Sequence, residues 1–119
     1  MANAQTIADI QALTARYAQA ADRRDVTMLL STLTVDAEVI MPGSSIKGHE
    51  ALEGIPALLD SMFEQTHHKI FNQTLSIHGD RAEGETYCTA SHLRLKEDGS
   101  REVEDWNIRY QDRFVCIDS

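Results

Sequence analysis

The chain has 119 residues, enough for one domain around one core. Its 42% hydrophobic and 25% charged content is that of an ordinary globular protein. A formal charge of −8, with only Arg23 and Arg24 adjacent among the basic residues, argues against a nucleic-acid groove and an anionic membrane surface. The N-terminus has no basic stretch leading into an apolar core, and no apolar run reaches membrane length. A cytoplasmic protein is expected, with Cys88 and Cys116 as two reduced thiols, since they form no Cys-x-x-Cys pair.

Ile7, Ile10, Leu13, Tyr17 and Ala20 or Ala21 recur at three- and four-residue steps. That spacing predicts an amphipathic helix over 6–22, with Thr6 and Asp9 as a capping box. Asp25 can cap a second short helix from Val26 to about Leu33, burying Met28 or Leu29 and Leu33. Residues 37–41 are β-prone, and Pro42-Gly43 is expected to stop them. Ile46 to Glu50 leads into a third helical stretch ending near Gln65, which Gly54 and Pro56 divide.

Beyond residue 65 the period changes from helical to alternating. Residues 66–78, 82–96 and 102–116 read as three long strands, joined by turns at 78–81 and 96–100. Helices first and an antiparallel meander second predict a single α+β domain over 1–119. By the two-residue period, Gly84, Thr86, Cys88, Ala90, His92 and Arg94 share one face, and most are small. Trp106, Ile108, Tyr110, Asp112 and Phe114 share a face of large side chains with polar tips. Such faces suit the floor and wall of a ligand cavity, and equally a filled core.

Three ionisable residues stand out: Asp22 at the end of the first helix, His68 opening one strand and His92 late in the next. A carboxylate and two imidazoles can exchange protons near neutral pH without a cofactor. His67 is adjacent to His68 on a strand, so the two face opposite sides. No His, Cys or carboxylate spacing matches a metal site, and no Gly-rich phosphate loop is present. Ser91 cannot pair with its neighbour His92 as nucleophile and base, for the same alternation reason. Tyr17 lies on the apolar stripe of the first helix, its hydroxyl free to point toward a pocket.

The order of elements resembles the SnoaL-like branch of the NTF2-like (cystatin-like) superfamily. Matching segments are 17–25, 33–37, 46–48, 66–68, 79–82 and 109–114. The resemblance implies a cone-shaped fold with N-terminal helices packed on a curved, mainly antiparallel sheet. Within it, the chain is similar to scytalone dehydratase and bile-acid dehydratases, whose Asp–His dyad matches Asp22 and His68. Scytalone dehydratase adds a second histidine, matched by His92. Two of its tyrosines correspond instead to Ala21 and Met41, and Tyr17 and Tyr110 offer hydroxyls from other positions. Family members continue past the segment matching Arg109 to Phe114 into a final strand. Here the residues after Phe114 run only to Ser119, so an open sheet edge or a covering partner chain is expected.

The function this implies is a cofactor-independent dehydratase or isomerase acting on a small hydrophobic, cyclic carbonyl compound. Asp22, His68 and His92 are its expected catalytic residues. Tyr17, Met41, Trp106, Ile108 and Tyr110 are expected to bind the substrate. A non-catalytic binding or assembly domain and a polyketide-cyclase-type enzyme are the alternatives on the same fold. The apolar stripe from Trp106 to Phe114 beside an open edge predicts a homodimer rather than a trimer.

Overall fold

In the computed structural model, which describes residues 4–117, the apolar stripe winds into helix α1 (Ala4–Arg23). It buries Ile10, Thr14, Ala18 and Ala21 at three- and four-residue steps. The helix already includes Ala4 and Gln5, so Thr6 is inside its first turns and not its cap. Gln5 Nε2 bonds Asp9 Oδ1 there, at 2.7 Å. Helix α2 (Val26–Ser31) is capped as expected: the Asp25 carboxyl accepts from Met28 N at 3.0 Å. Leu29 is its fully buried residue.

Strand β1 (Glu38–Met41) ends at Pro42-Gly43 as expected, but a second strand follows that the sequence did not announce. These two residues turn the chain directly into β2 (Ser44–Lys47), which pairs antiparallel with β1 in a separate hairpin. Proline followed by a glycine at φ +82° is the residue pair of a type II turn, so the same two residues stop β1 and reverse the chain. Gly54 and Pro56 do divide the next helical stretch, into α3 (His49–Leu52) and α4 (Ile55–Met62).

The three long strands form one antiparallel sheet in the order β3 (Gln65–His78), β4 (Arg81–Leu95), β5 (Arg101–Val115). Each bound lies within one residue of its expected position. A two-against-one bulge at Phe71-Asn72 interrupts the pairing between Ile70↔Cys88 and Gln73↔Thr86. It switches the parity of β3, so Thr66, His68 and Ile70 share a face with Gln73, Leu75 and Ile77. That face, with Thr86, Cys88, Ala90 and His92 of β4, is the buried one, and α1 packs across it on β3.

The register corrects the reason given above for self-association. Trp106, Ile108, Tyr110 and Phe114 lie opposite Ala90, Cys88, Thr86 and Ala82, on the same concave face as the buried residues of β4. The outer face is mainly polar instead, with Tyr87, Leu95 and Val103 as exposed apolar side chains. Lys69 Nζ donates to Ser91 Oγ at 2.7 Å, Ser91 Oγ to Asp105 Oδ1 at 2.6 Å, and Thr89 Oγ1 to Asn107 Oδ1 at 2.9 Å. Among the described residues β5 pairs only with β4, leaving its other edge open. Cys88 is buried and Cys116 exposed, and neither is in a disulfide. No described helix is long and apolar enough to cross a membrane.

Gly84 is the one position where β3 and β4 need a missing side chain. A Cβ there would meet Leu75 Cδ2 at 2.7 Å and the Thr74 carbonyl oxygen at 2.9 Å. The carbonyl cannot move without the strand. Gly84→Ala is therefore expected to cost about 1–3 kcal/mol, measurable as a lower urea midpoint with an unchanged slope.

Candidate active site

Asp22 sits in the last turn of α1, where the helix dipole disfavours a carboxylate. Three donors from the start of β3 offset this. His68 Nδ1 donates to Asp22 Oδ1 at 2.6 Å, His68 N to Asp22 Oδ2 at 2.9 Å, and Thr66 Oγ1 to Asp22 Oδ1 at 3.1 Å. The His68 side chain is only 9% exposed and that of Asp22 20%. An ionised carboxyl only accepts, so the Nδ1 of a neutral His68 carries its proton and Nε2 keeps its lone pair. His67 is exposed on the opposite face. Thr66 escaped the sequence reading, although it lies two residues before His68 and therefore on the same face.

The turn after α1 contains the chain's only described non-glycine residue at positive φ, Arg24 at +55°. Asp25 N bonds the Ala20 carbonyl at 3.0 Å and Arg24 N the Ala21 carbonyl at 3.3 Å. This is the helix ending that normally places glycine at the left-handed position. An L side chain there costs about 1–2 kcal/mol. Arg24 Nη1 donates to the Ala21 carbonyl and to Thr66 Oγ1, each at 2.7 Å. Its Nε stands 3.7 Å from Asp60 Oδ1 of α4.

His92 is 1% exposed, and its ring centroid lies 6.3 Å from that of His68. Phe63, at the end of α4, and Trp106 flank it, with centroids at 4.4 and 4.0 Å. Its Nδ1 donates to the Glu104 carbonyl oxygen at 3.2 Å. Burial, with the nearby His68, pushes its pKa below the ordinary histidine value despite that bond. His92 is thus neutral near pH 7, and its Nε2 accepts rather than donates. A role donating a hydrogen bond to a substrate carbonyl does not fit this tautomer.

The hydroxyl donors lie further along the concave face. The Tyr17 and Tyr110 rings meet edge to face with centroids 6.2 Å apart. Burial raises both phenol pKa values, and the Tyr110 hydroxyl bonds the Cys88 thiol. Tyr17 therefore remains protonated across the physiological range. Ile108 and Asp112 continue the same wall of β5. Met41 is not brought there: it is exposed at the hairpin end of β1, opposite Ser44, and the hairpin packs mainly on itself and on α3.

The two described depressions, of about 320 and 300 Å³, lie beside the β3 bulge (Gln11, Thr14 and residues 70–73) and at the far sheet end around Phe114. Neither includes Asp22, His68 or His92. Phe63 and Trp106 occupy the approach to His92. Of these two, Phe63 is 3% exposed and Trp106 41%.

Asp112 gives a test of the wall's polarity. Desolvation raises its carboxyl pKa above 3.8, and no side-chain hydrogen bond offsets this. A raised folded-state pKa favours the fold most below the unfolded value and loses that favour as pH rises through the folded one. Asp112→Asn is therefore expected to raise the melting temperature at pH 7. The gain over the parent should shrink as pH falls toward 3.8. A variant no more stable at pH 7 would mean that the carboxylate is well solvated.

Residues 2–119 match the SnoaL-like domain family. No curated protein matches the chain. Solved structures of the same fold include a protein of unknown function from Mycobacterium tuberculosis, 23% identical with TM-score 0.81 over 95% of this chain and 68% of that one. A candidate scytalone dehydratase from Novosphingobium aromaticivorans is 19% identical, with TM-score 0.83 over 95% and 75%. An NTF2-like superfamily protein from Salmonella enterica is 16% identical, with TM-score 0.81 over 96% and 82%. At these identities the solved structures speak for the fold, and the family match carries the assignment. With its helices packed on a curved antiparallel sheet and a match across the whole described chain, the protein belongs to the SnoaL-like domain family and has the NTF2-like fold.

Proposed function

We propose that the protein is a cofactor-independent lyase or isomerase that moves a proton next to a carbonyl group on a small hydrophobic, cyclic compound. The observation that carries this reading is the two-point grip of Asp22 on His68, through Nδ1 and the backbone N–H, which leaves Nε2 as the unbonded base. Asp22 holds the tautomer and stabilises the imidazolium that forms.

In the forward step, His68 Nε2 takes the proton from the carbon beside the carbonyl. The electron pair of that C–H bond becomes a carbon–carbon double bond, and the C=O π pair moves to the oxygen, which accepts a hydrogen bond from the Tyr17 hydroxyl. For dehydration, the enolate then expels a hydroxyl group from the next carbon while His68 returns its proton to that oxygen. Water leaves and an unsaturated carbonyl remains. For isomerisation, the proton goes back to a different carbon. His92, neutral and accepting at Nε2, suits the hydrogen of the departing hydroxyl. Phe63 and Trp106, which flank His92, would border the substrate on that side. The candidate dehydratase among the fold's relatives is consistent with this class of chemistry.

The test is a panel of cyclic ketones and β-hydroxyketones incubated with the protein in deuterated water. NMR would follow deuterium entering the carbon beside the carbonyl, and loss of water. Exchange or elimination that disappears in Asp22→Asn supports the reading. Compounds that quench Trp106, the single tryptophan, yet never exchange would support a binding domain instead.

A further inference from the structure

We propose that Arg24 is a positioning residue for the Asp22–His68 pair, acting through the hydroxyl of Thr66. This deepens the reading above and rests on it. It starts from a local conflict. The end of α1 needs a left-handed residue, where glycine has no Cβ penalty, yet the chain places arginine there. A residue that breaks a local backbone preference points to its side chain for the compensation.

That side chain does two things. Nη1 donates to the Ala21 carbonyl, which also accepts a longer bond from Arg24 N, and to Thr66 Oγ1, both at 2.7 Å. A threonine hydroxyl has one proton and two lone pairs. With a lone pair taken by the guanidinium, the proton is directed at the remaining partner, Asp22 Oδ1, at 3.1 Å. The result is a one-way chain: Arg24 to Thr66, Thr66 to Asp22, with His68 donating to Asp22 from the other side.

The indirect route matters. A guanidinium bonded straight to Asp22 would compete with His68 for the carboxyl oxygens. Routed through a hydroxyl, it fixes the carboxyl plane and leaves Oδ1 and Oδ2 available to the imidazole and its backbone N–H. Thr66 is 7% exposed and the Arg24 side chain 17%, so bulk water has little access to replace either partner. The loose 3.7 Å pair with exposed Asp60 places the other side of the guanidinium against α4. The competing explanation is that Arg24 only caps the helix through Ala21.

The full chain labelled with ¹⁵N-histidine separates the two. In the parent protein, the Nδ1 proton of His68 should give a downfield resonance in slow exchange with water. Arg24→Gly removes the guanidinium and suits the left-handed backbone. Its melting temperature is expected to be unchanged or higher, while the Nδ1 proton exchanges about 10-fold faster or broadens away, as for the loss of one charge-assisted hydrogen bond. Thr66→Val should give the same loss with Arg24 in place, and Thr66→Ser should keep the parent signal. Parent-like Nδ1 exchange in Arg24→Gly overturns the proposal. Should Arg24→Gly fail to fold, Thr66→Val decides, and parent-like exchange there overturns it equally. A parent protein with no protected Nδ1 proton would instead overturn the Asp22–His68 pair itself, and the relay with it.

Discussion

Asp22→Asn and His68→Ala are each expected to lower kcat by about 10²-fold or more on any compound the parent turns over. The two changes act on one device. Alanine at 68 removes the base outright. Asparagine at 22 keeps the size of the side chain but changes what it can accept. Its NH₂ cannot receive the Nδ1 proton, and if its oxygen does so at the Oδ1 position, the NH₂ then faces the His68 backbone N–H. Either the imidazole rotates or it adopts the other tautomer, and Nε2 is no longer a lone pair facing the substrate. The double variant should be scarcely worse than either single, because a disabled base gains nothing from its orienting partner. Losses that multiply in full would mean that the two residues work independently. Parent-like turnover in both singles would move the chemistry to another part of the concave face. Steady-state kinetics on all four proteins, with circular dichroism to confirm folding, decides between these outcomes.

Leu29→Ala is the substitution expected to cost the most stability, about 2–5 kcal/mol. Leu29 is 0% exposed, on a six-residue helix too short to hold its shape by itself. The helix is held by the Asp25 cap and by packing against α1, and Leu29 is its single fully buried side chain. Truncation removes about three methylene equivalents from the core and leaves a hole that the surrounding helices fill only in part. For a domain whose total stability lies in the range of about 5–15 kcal/mol, that is a large fraction. The melting temperature should fall by roughly 10 °C. Val35→Ala, at a side chain 76% exposed, serves as the control and should stay within about 0.5 kcal/mol of the parent. A loss below about 1 kcal/mol at Leu29 would mean that α2 contributes little to the core, contrary to its burial.

Much of this protein is legible along the chain because its signals are local. A 3.6-residue apolar stripe makes α1, a side chain that caps its own helix makes α2, and two-residue alternation between Gly-containing turns makes the meander. Asp22, His68 and His92 could be singled out because their residue types carry the chemistry, and the order of elements made their meeting plausible. Local signals stopped short where one residue pair does two things. Pro42-Gly43 ends β1, as its residue types announce, and also folds the chain back on it, which only the pairing of Met41 with Ser44 reveals.

The tertiary structure alone decided three further things. The bulge at Phe71-Asn72 has no mark in the sequence, yet its parity switch puts Gln73 and Leu75 on the face of His68. Which ring nitrogen of His92 carries the proton depends on the Glu104 carbonyl, twelve residues away and brought close by the β4–β5 register. Arg24 meets Thr66 across 42 residues of chain, where a turn that glycine would favour aims a guanidinium at a hydroxyl. Periodicity reports which way a side chain faces its own neighbours. Which remote donor meets which acceptor is set by register and crossing geometry, and these form only when the whole sheet closes against the helix.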